Sequence, residues 1–456
     1  MRSKLMQSLV CSAALALVLG MVPDIALGAT LRAAAAKTDI TPPAGTPMWG
    51  YARRSGPATG TLDPLMARVL VLEAGPQRVA IVTLDLGRAF GEKAIAGLRA
   101  AVQRSSAVSY VFLAASHTHS GPVILDEYAG APPAWETEAL SRIAHAIDDA
   151  CGRLVEARIG TGYGVSYIGH NRLKTNPDRT VSWLERNPTK VPTSPFDPTV
   201  AVLRVETVDR KPLAILVNYA CHPVVFGPDN RQFSADFPGA MAQAAEQALG
   251  QGTLVMFMQG GAGDINPYYA VTPLQQDAIK QRDWSGQELG REAARVAESI
   301  RTEAPSDASL DFAEQPLNFG FRWDFARFRE DMAGIFGSGF ETEFGPPVRE
   351  RVGVPVSTLL IDKKIAILGL SGEPFVDFQT NWRSRCPVQD AFFAGYANGY
   401  HGYFPTIEET TLGGYGTASV TTWVEPGAGE RMVDHGIIQI HTMLGRLSNL
   451  PYRAKF

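Results

Sequence analysis

The chain has 456 residues, 45% apolar and 19% charged, with a formal net charge of −4, a composition that supports a large globular core. Its slightly acidic balance, with no basic run, gives no electrostatic reason to expect nucleic acid. Four cysteines without a CxxC pair exclude a sulfur-rich structural zinc site.

In chain order, residues 1–28 read as an export signal. Arg2 and Lys4 supply the positive start, LVCSAALALVLGMV the apolar middle, and ALGA at Ala26–Ala29 the small residues before cleavage. The apolar run is short for a membrane-crossing helix, and Cys11 follows Val10 rather than a small residue, which argues against a lipid anchor. The expectation is an exported protein, periplasmic or secreted, with residues 29–456 as one catalytic domain. Cys11 leaves with the signal; Cys151, Cys221 and Cys386 allow at most one disulfide.

Apolar, strand-like runs follow at ARVLVLEAG, VAIVTLDLG and SYVFLAASH. AWETEALSRIAHAIDDACGRL then sets Leu140, Ile143, Ala144 and Ile147 on one helical face. Residues 170–198 are rich in Pro, Asn, Arg and Thr and read as a long loop, of the kind that serves as a lid or binding loop. Strands resume at AVLRVE, LAILVNYACH and LVMFMQG. FPGAMAQAAEQALG between the last two has the proline-in, glycine-out signature of a helix. Residues 280–303 and 427–447 read as longer helices, 318–350 as an irregular Phe- and Gly-rich stretch, and IAILGLSG as another strand. Strands alternating with helices predict an α/β fold with a substantially buried sheet.

The reactive residues fall where apolar runs stop: His117 and His119 after VFLAAS, His222 after LAILVNYAC, Glu373 after IAILGLSG. Active sites in open α/β sheets collect at strand ends. Imidazole and carboxylate suit zinc, and an incomplete protein shell leaves a position for water or substrate. Each piece alone has a plainer reading. HxH pairs arise by chance, His222 before Pro223 would serve as an interior histidine, and Glu373 as a carboxylate at a helix start. His145, His435 and His441 lie in helical runs and read as ordinary helix residues.

Six short segments, KTDITPPAGTPMWGY, SHTHSGP, NYACHPVVFG, GGAGDINP, SGEPF and GYFPTIEETTLGGYGT, occur in the order seen in the catalytic domain of neutral ceramidases, which this sequence resembles over roughly residues 33–425. The resemblance implies mixed β-sheets flanked by helices and a zinc-dependent amidase that cleaves an N-acyl bond of a lipid-like substrate. It implies His117, His222, Glu373 and Tyr403 as zinc ligands, Tyr415 as the tyrosine that steadies the oxyanion, and His119 and Arg172 as the pair that holds substrate. Two departures stand out. The family turn carries a serine, GDxSP, where this chain has Asn266, which has no ionisable hydroxyl and cannot form an acyl intermediate. The family also has a C-terminal β-sandwich for which this sequence shows no strand-rich run.

A metal-activated water needs no serine, so hydrolysis with Asn266 and Tyr415 at the oxyanion is the expected chemistry. GGAGDINP is not a phosphate loop, because no Lys-Ser/Thr follows and Pro267 lacks an N–H; GxSxG is absent there. Its glycines let a strand bend away under a loop, with Asp264 expected to orient a ligand histidine. A non-catalytic metal- or ligand-binding relative, and a zinc hydrolase of an ester or other small acylated substrate, stay open. So do the acyl chain length and contact with a membrane surface.

Overall fold

The computed structural model describes residues 28–250, 252–336 and 350–447. The segment read as an export signal, apart from Gly28, and the aromatic stretch beyond Phe336 lie outside the described residues. Eight strands form the main sheet in the spatial order Leu254–Gln259, Pro212–Tyr219, Thr199–Thr207, Val155–Val165, Leu31–Asp39, Met66–Ala74, Gln77–Leu84, Tyr110–Ala115. Its interior is antiparallel, and each flank ends in a parallel pair: Pro212–Tyr219 with Leu254–Gln259, and Gln77–Leu84 with Tyr110–Ala115. The two halves join only at Arg32↔Glu156 and Ala33↔Val155.

That narrow seam lets the halves face each other. Leu70, Leu72 and Ile81 of one half share a buried cluster with Leu203, Leu216 and Met256 of the other. Ile365, Ile367 and Phe392 of a second sheet close the same cluster. This second sheet runs Leu310–Gly320, Arg351–Ile361, Ile365–Leu370, Asp390–Ala394, with its last two strands parallel. Helices cover the outer faces. Glu92–Ser106 and Ala134–Cys151 pack on the first half-sheet, Asp236–Leu249 and Ala278–Ser299 on the other, and Val376–Arg385 and Ala428–Met443 on the second sheet. Each fully buried Leu, Ile, Val or Phe contributes about 1.5–3 kcal/mol, and this core is what holds the strand ends rigid.

Mixed sheets flanked by helices match the expected fold class. Leu310–Gly320, Arg351–Ile361 and Asp390–Ala394 of the second sheet escaped the sequence reading, as did two strands of the main sheet. Leu31–Asp39 contains the run AAAA, a helical composition by intrinsic propensity, yet it pairs with Met66–Ala74 along its whole length. Val155–Val165 carries three alternate glycines that break the apolar pattern. They face the helix Ala278–Ser299 and its C-terminal extension. A Cβ at Gly162 would lie 2.7 Å from an Ile300 side-chain carbon, and one at Gly160 2.7 Å from the Arg301 carbonyl. The glycines are there so that the helix can lie on the strand. Helix Phe325–Phe336 replaces part of the stretch read as irregular. Within 170–198 a small hairpin forms, Leu173–Thr175 with Val181–Trp183. Cys151, Cys221 and Cys386 are free thiols. Among the described residues no helix is long and apolar enough to cross a membrane.

Candidate metal centre

The three parallel strand pairs of the two large sheets point their carboxyl ends at one spot, and each pair works as a unit. His117 follows Tyr110–Ala115, and its Nδ1 lies 2.6 Å from the carbonyl of Gly87, in the loop after the partner strand Gln77–Leu84. His222 follows Pro212–Tyr219, and its Nδ1 lies 2.5 Å from the carbonyl of Ala262, after the partner strand Leu254–Gln259. A carbonyl only accepts, so Nδ1 donates in both rings, and a neutral ring then carries its lone pair on Nε2. Glu373 follows Ile365–Leu370 and receives hydroxyl hydrogen bonds from Tyr400 (2.5 Å, to Oε1) and Tyr396 (3.3 Å, to Oε2), both beyond the partner strand Asp390–Ala394. Three residues here take left-handed backbone: His117 has φ +71°, Tyr396 +55° and Asn398 +54°.

The fixed side chains converge. Glu373 Oε2 lies 3.1 Å from His222 Nε2 and 3.3 Å from His117 Nε2. His119 Nε2 is 3.2 Å from His117 Nε2, and the Tyr403 hydroxyl 3.5 Å from His222 Nε2. Tyr403 is the register partner of Glu373 in a short parallel bridge. Burial, then the nearby Arg172 charge, lowers the His222 pKa to about 3. Burial and the neighbouring His117 and His222 hold His119 well below its ordinary value. Burial alone would raise Glu373, but His117 and His222 beside it keep it well below the usual carboxylate range. Lone pairs facing a carboxylate oxygen repel each other unless positive charge sits among them, and a neutral His222 supplies none. A divalent cation with nitrogen and oxygen ligands fits this donor set. The side chains of His117, His119 and His222 bring nitrogens within 4.8 Å of one another and can hold a metal ion.

The glycine turn forms the wall. None of Gly260, Gly261 and Gly263 needs a left-handed conformation. They are small because the turn presses on the Glu373 segment, where a Cβ at Gly263 would lie 2.5 Å from the Glu373 carbonyl. Asp264 does not orient a histidine as expected, because the carbonyls of Ala262 and Ile265 already take His222 Nδ1. Its carboxylate accepts instead from the N–H of Val376, at the start of helix Val376–Arg385, and from the Asn171 amide. Burial pushes the Asp264 pKa up to about 7.

Asn266 is buried and held at both ends of its side-chain amide. Its Oδ1 accepts from Arg172 Nη1 at 3.1 Å, and its amide donates to the Glu185 carbonyl at 3.0 Å. Arg172 Nη2 donates to the Gly263 carbonyl (2.6 Å) and the Tyr403 hydroxyl (2.9 Å). Its guanidinium lies 4.9 Å from the Trp183 ring and 5.2 Å from the Tyr415 ring. Tyr415 is 44% and Trp183 42% exposed, so these two rings form the rim. Across the site Arg54 binds the carbonyls of Trp49, His119 and Asn230, fixing the loop that carries His119. The sequence reading missed Tyr396, Tyr400 and Arg54. The run GYANGYHGYF, with tyrosines among glycines just before Tyr403, was the available signal for the first two.

The expected residues therefore come together from segments more than 280 positions apart. Residues 32–282 match the family described as neutral/alkaline non-lysosomal ceramidase, N-terminal. The fold is similar to the crystal structure of neutral ceramidase from Pseudomonas aeruginosa, at 20% identity and a TM-score of 0.73, covering 93% of this chain and 76% of that one. It is similar also to a ceramidase complexed with C2, at 19% identity and a TM-score of 0.74, covering 93% of this chain and 77% of that one. With more than half of its length matched by the family profile, the chain belongs to the neutral/alkaline non-lysosomal ceramidase family.

Proposed function

We propose that this protein is an exported zinc-dependent hydrolase that cleaves an amide (N-acyl) bond of a lipid-like or small acylated substrate. The observation that carries this reading is the convergence of two imidazole lone pairs on the ionised Glu373, fixed by main-chain carbonyls on one side and tyrosines on the other. His117, His222, Glu373 and Tyr403 are the ligands. A zinc ion held there would polarise the scissile carbonyl and lower the pKa of a bound water to about 7.

The chain's own residues do the rest. Tyr415 donates to the developing oxyanion, helped by the amide hydrogen of Asn266 that Glu185 does not take. Arg172, locked by Asn266, Gly263 and Tyr403, orients the acyl group under the Trp183–Tyr415 rim. His119, kept neutral by burial, is placed to take the proton released by the attacking water and pass it to the leaving nitrogen as the C–N bond breaks. Asn266 replaces the family serine, so no acyl intermediate forms on it. Export follows from the N-terminal segment read above.

The test is hydrolysis of matched N-acyl amides and O-acyl esters of increasing chain length, before and after chelation. The account expects chelator-sensitive amide cleavage. Ester cleavage alone would move the assignment to an esterase, and bound metal without turnover on any substrate would favour a binding protein on the same scaffold.

A further inference from the structure

We propose that Tyr400, backed by Tyr396, is a positioning residue that restricts Glu373 to one metal-binding oxygen. This rests on the metal site proposed above and deepens it. In the first two strand pairs the ligand is an imidazole, and the partner loop offers an acceptor, the carbonyl of Gly87 or Ala262. In the third pair the ligand is a carboxylate, an acceptor itself, and the partner loop offers donors. The Tyr400 hydroxyl donates to Oε1 at 2.5 Å, the oxygen that no histidine approaches. Oε2 faces both Nε2 atoms and receives only the longer bond from Tyr396. One carboxylate oxygen is engaged and the other is presented.

The tyrosines are themselves held in place. Tyr400 is buried with its ring 5.0 Å from the Arg88 guanidinium, and Arg88 is paired with Asp126. The Trp49 ring meets it edge-on at 5.4 Å. Tyr396 stacks on the His117 imidazole at 4.1 Å, so one residue braces a second ligand while donating to the first. The positive φ at Tyr396 and Asn398 turns the chain so that both hydroxyls reach Glu373. Freed of Tyr400, Oε1 can swing in beside Oε2 and raise the coordination number, or the carboxylate can lose its aim.

The experiment uses the full chain loaded with Zn²⁺ or Co²⁺, wild type against Tyr400→Phe, read by chelator competition and by the visible absorption of the cobalt form. Outer partners of metal ligands typically change affinity about 10–100-fold. The expected result is weakening in that range, with a weaker cobalt band as the coordination number rises. Wild-type affinity together with an unaltered cobalt spectrum would overturn the proposal. If Tyr400→Phe fails to fold, Tyr396→Phe is read the same way: a smaller weakening with a perturbed spectrum supports the proposal, and wild-type values defeat it. A wild-type chain that takes up neither metal defeats the metal reading and this inference together. Metal uptake with an indifferent Tyr400→Phe defeats the inference alone.

Discussion

The floor of the site and its rim are built on opposite principles. His117, His222 and Glu373 are almost completely buried, and each is hydrogen-bonded to the segment that follows the neighbouring parallel strand. Trp183 and Tyr415 are more than two-fifths exposed and meet the floor through ring contacts on Arg172. Parallel strands inside a core give positions that cannot drift, as a reaction centre needs. Exposed aromatics on a short hairpin and a loop give a surface against which a substrate can lie. On the proposed function the floor carries the metal chemistry, Tyr415 reaches from the rim to the oxyanion, and Trp183 bears on substrate choice. Between them, Asn266 and Arg172 form the hinge of this division.

Mutations should separate the two regions. The largest effect belongs to the floor: Glu373→Ala should abolish stoichiometric metal and cut turnover on the order of a thousandfold, the equivalent of several kcal/mol of charge stabilisation. Metal content and steady-state rates check both halves of that statement. Next comes the boundary. Asn266→Ala removes an oxyanion donor and an anchor of Arg172, and should lower kcat on the order of a hundredfold, as loss of about 2.7–4 kcal/mol implies, with metal content unchanged. An untouched kcat would remove Asn266 from the chemistry. At the rim, Trp183→Ala loses one cation–π contact worth about 0.5–2 kcal/mol. It should raise KM by a few-fold to tenfold or more while kcat holds; a fall in kcat instead would mean that the rim is part of the centre.

The smallest effect is on stability against pH. Burial raises the Asp264 pKa to about 7 in the folded chain, from 3.8 ordinarily. Its raised pKa means that the stability it contributes is complete below about 3.8 and is lost as pH rises through 7. The metal-free Asp264→Asn variant, which cannot ionise there, should therefore gain stability relative to wild type as pH climbs from 4 to 7, and level off above. Parallel melting curves across that range would show it, and a constant difference would not fit.

The site was legible in the sequence to the extent that its chemistry sits at strand ends. His117, His222 and Glu373 each close an apolar run, and a run of buried strand is the easiest signal to read. Arg172 was harder, because its loop has no periodicity and its position is set by the preceding Gly169–Asn171, which pairs with Ile265–Pro267. Tyr396 and Tyr400 were missed since their role appears only when the parallel partner of the Glu373 strand is known. Asp264 was placed near the right residues with the wrong partner, because main-chain carbonyls, which carry no sequence signature, had taken the histidine. In the fold, the alanine and glycine strands were hidden for a related reason. Their small side chains answer to a neighbour's surface, and propensity does not record a neighbour.

The central claim is that these strand ends hold one catalytic metal ion. Elemental analysis of the purified protein, followed by chelation and titration with Zn²⁺ while N-acyl hydrolysis is monitored, tests it most directly. The account predicts one equivalent of metal, loss of activity on its removal, and recovery that reaches its plateau at one equivalent. Metal well below one equivalent in an active preparation, or hydrolysis indifferent to chelation, would contradict it.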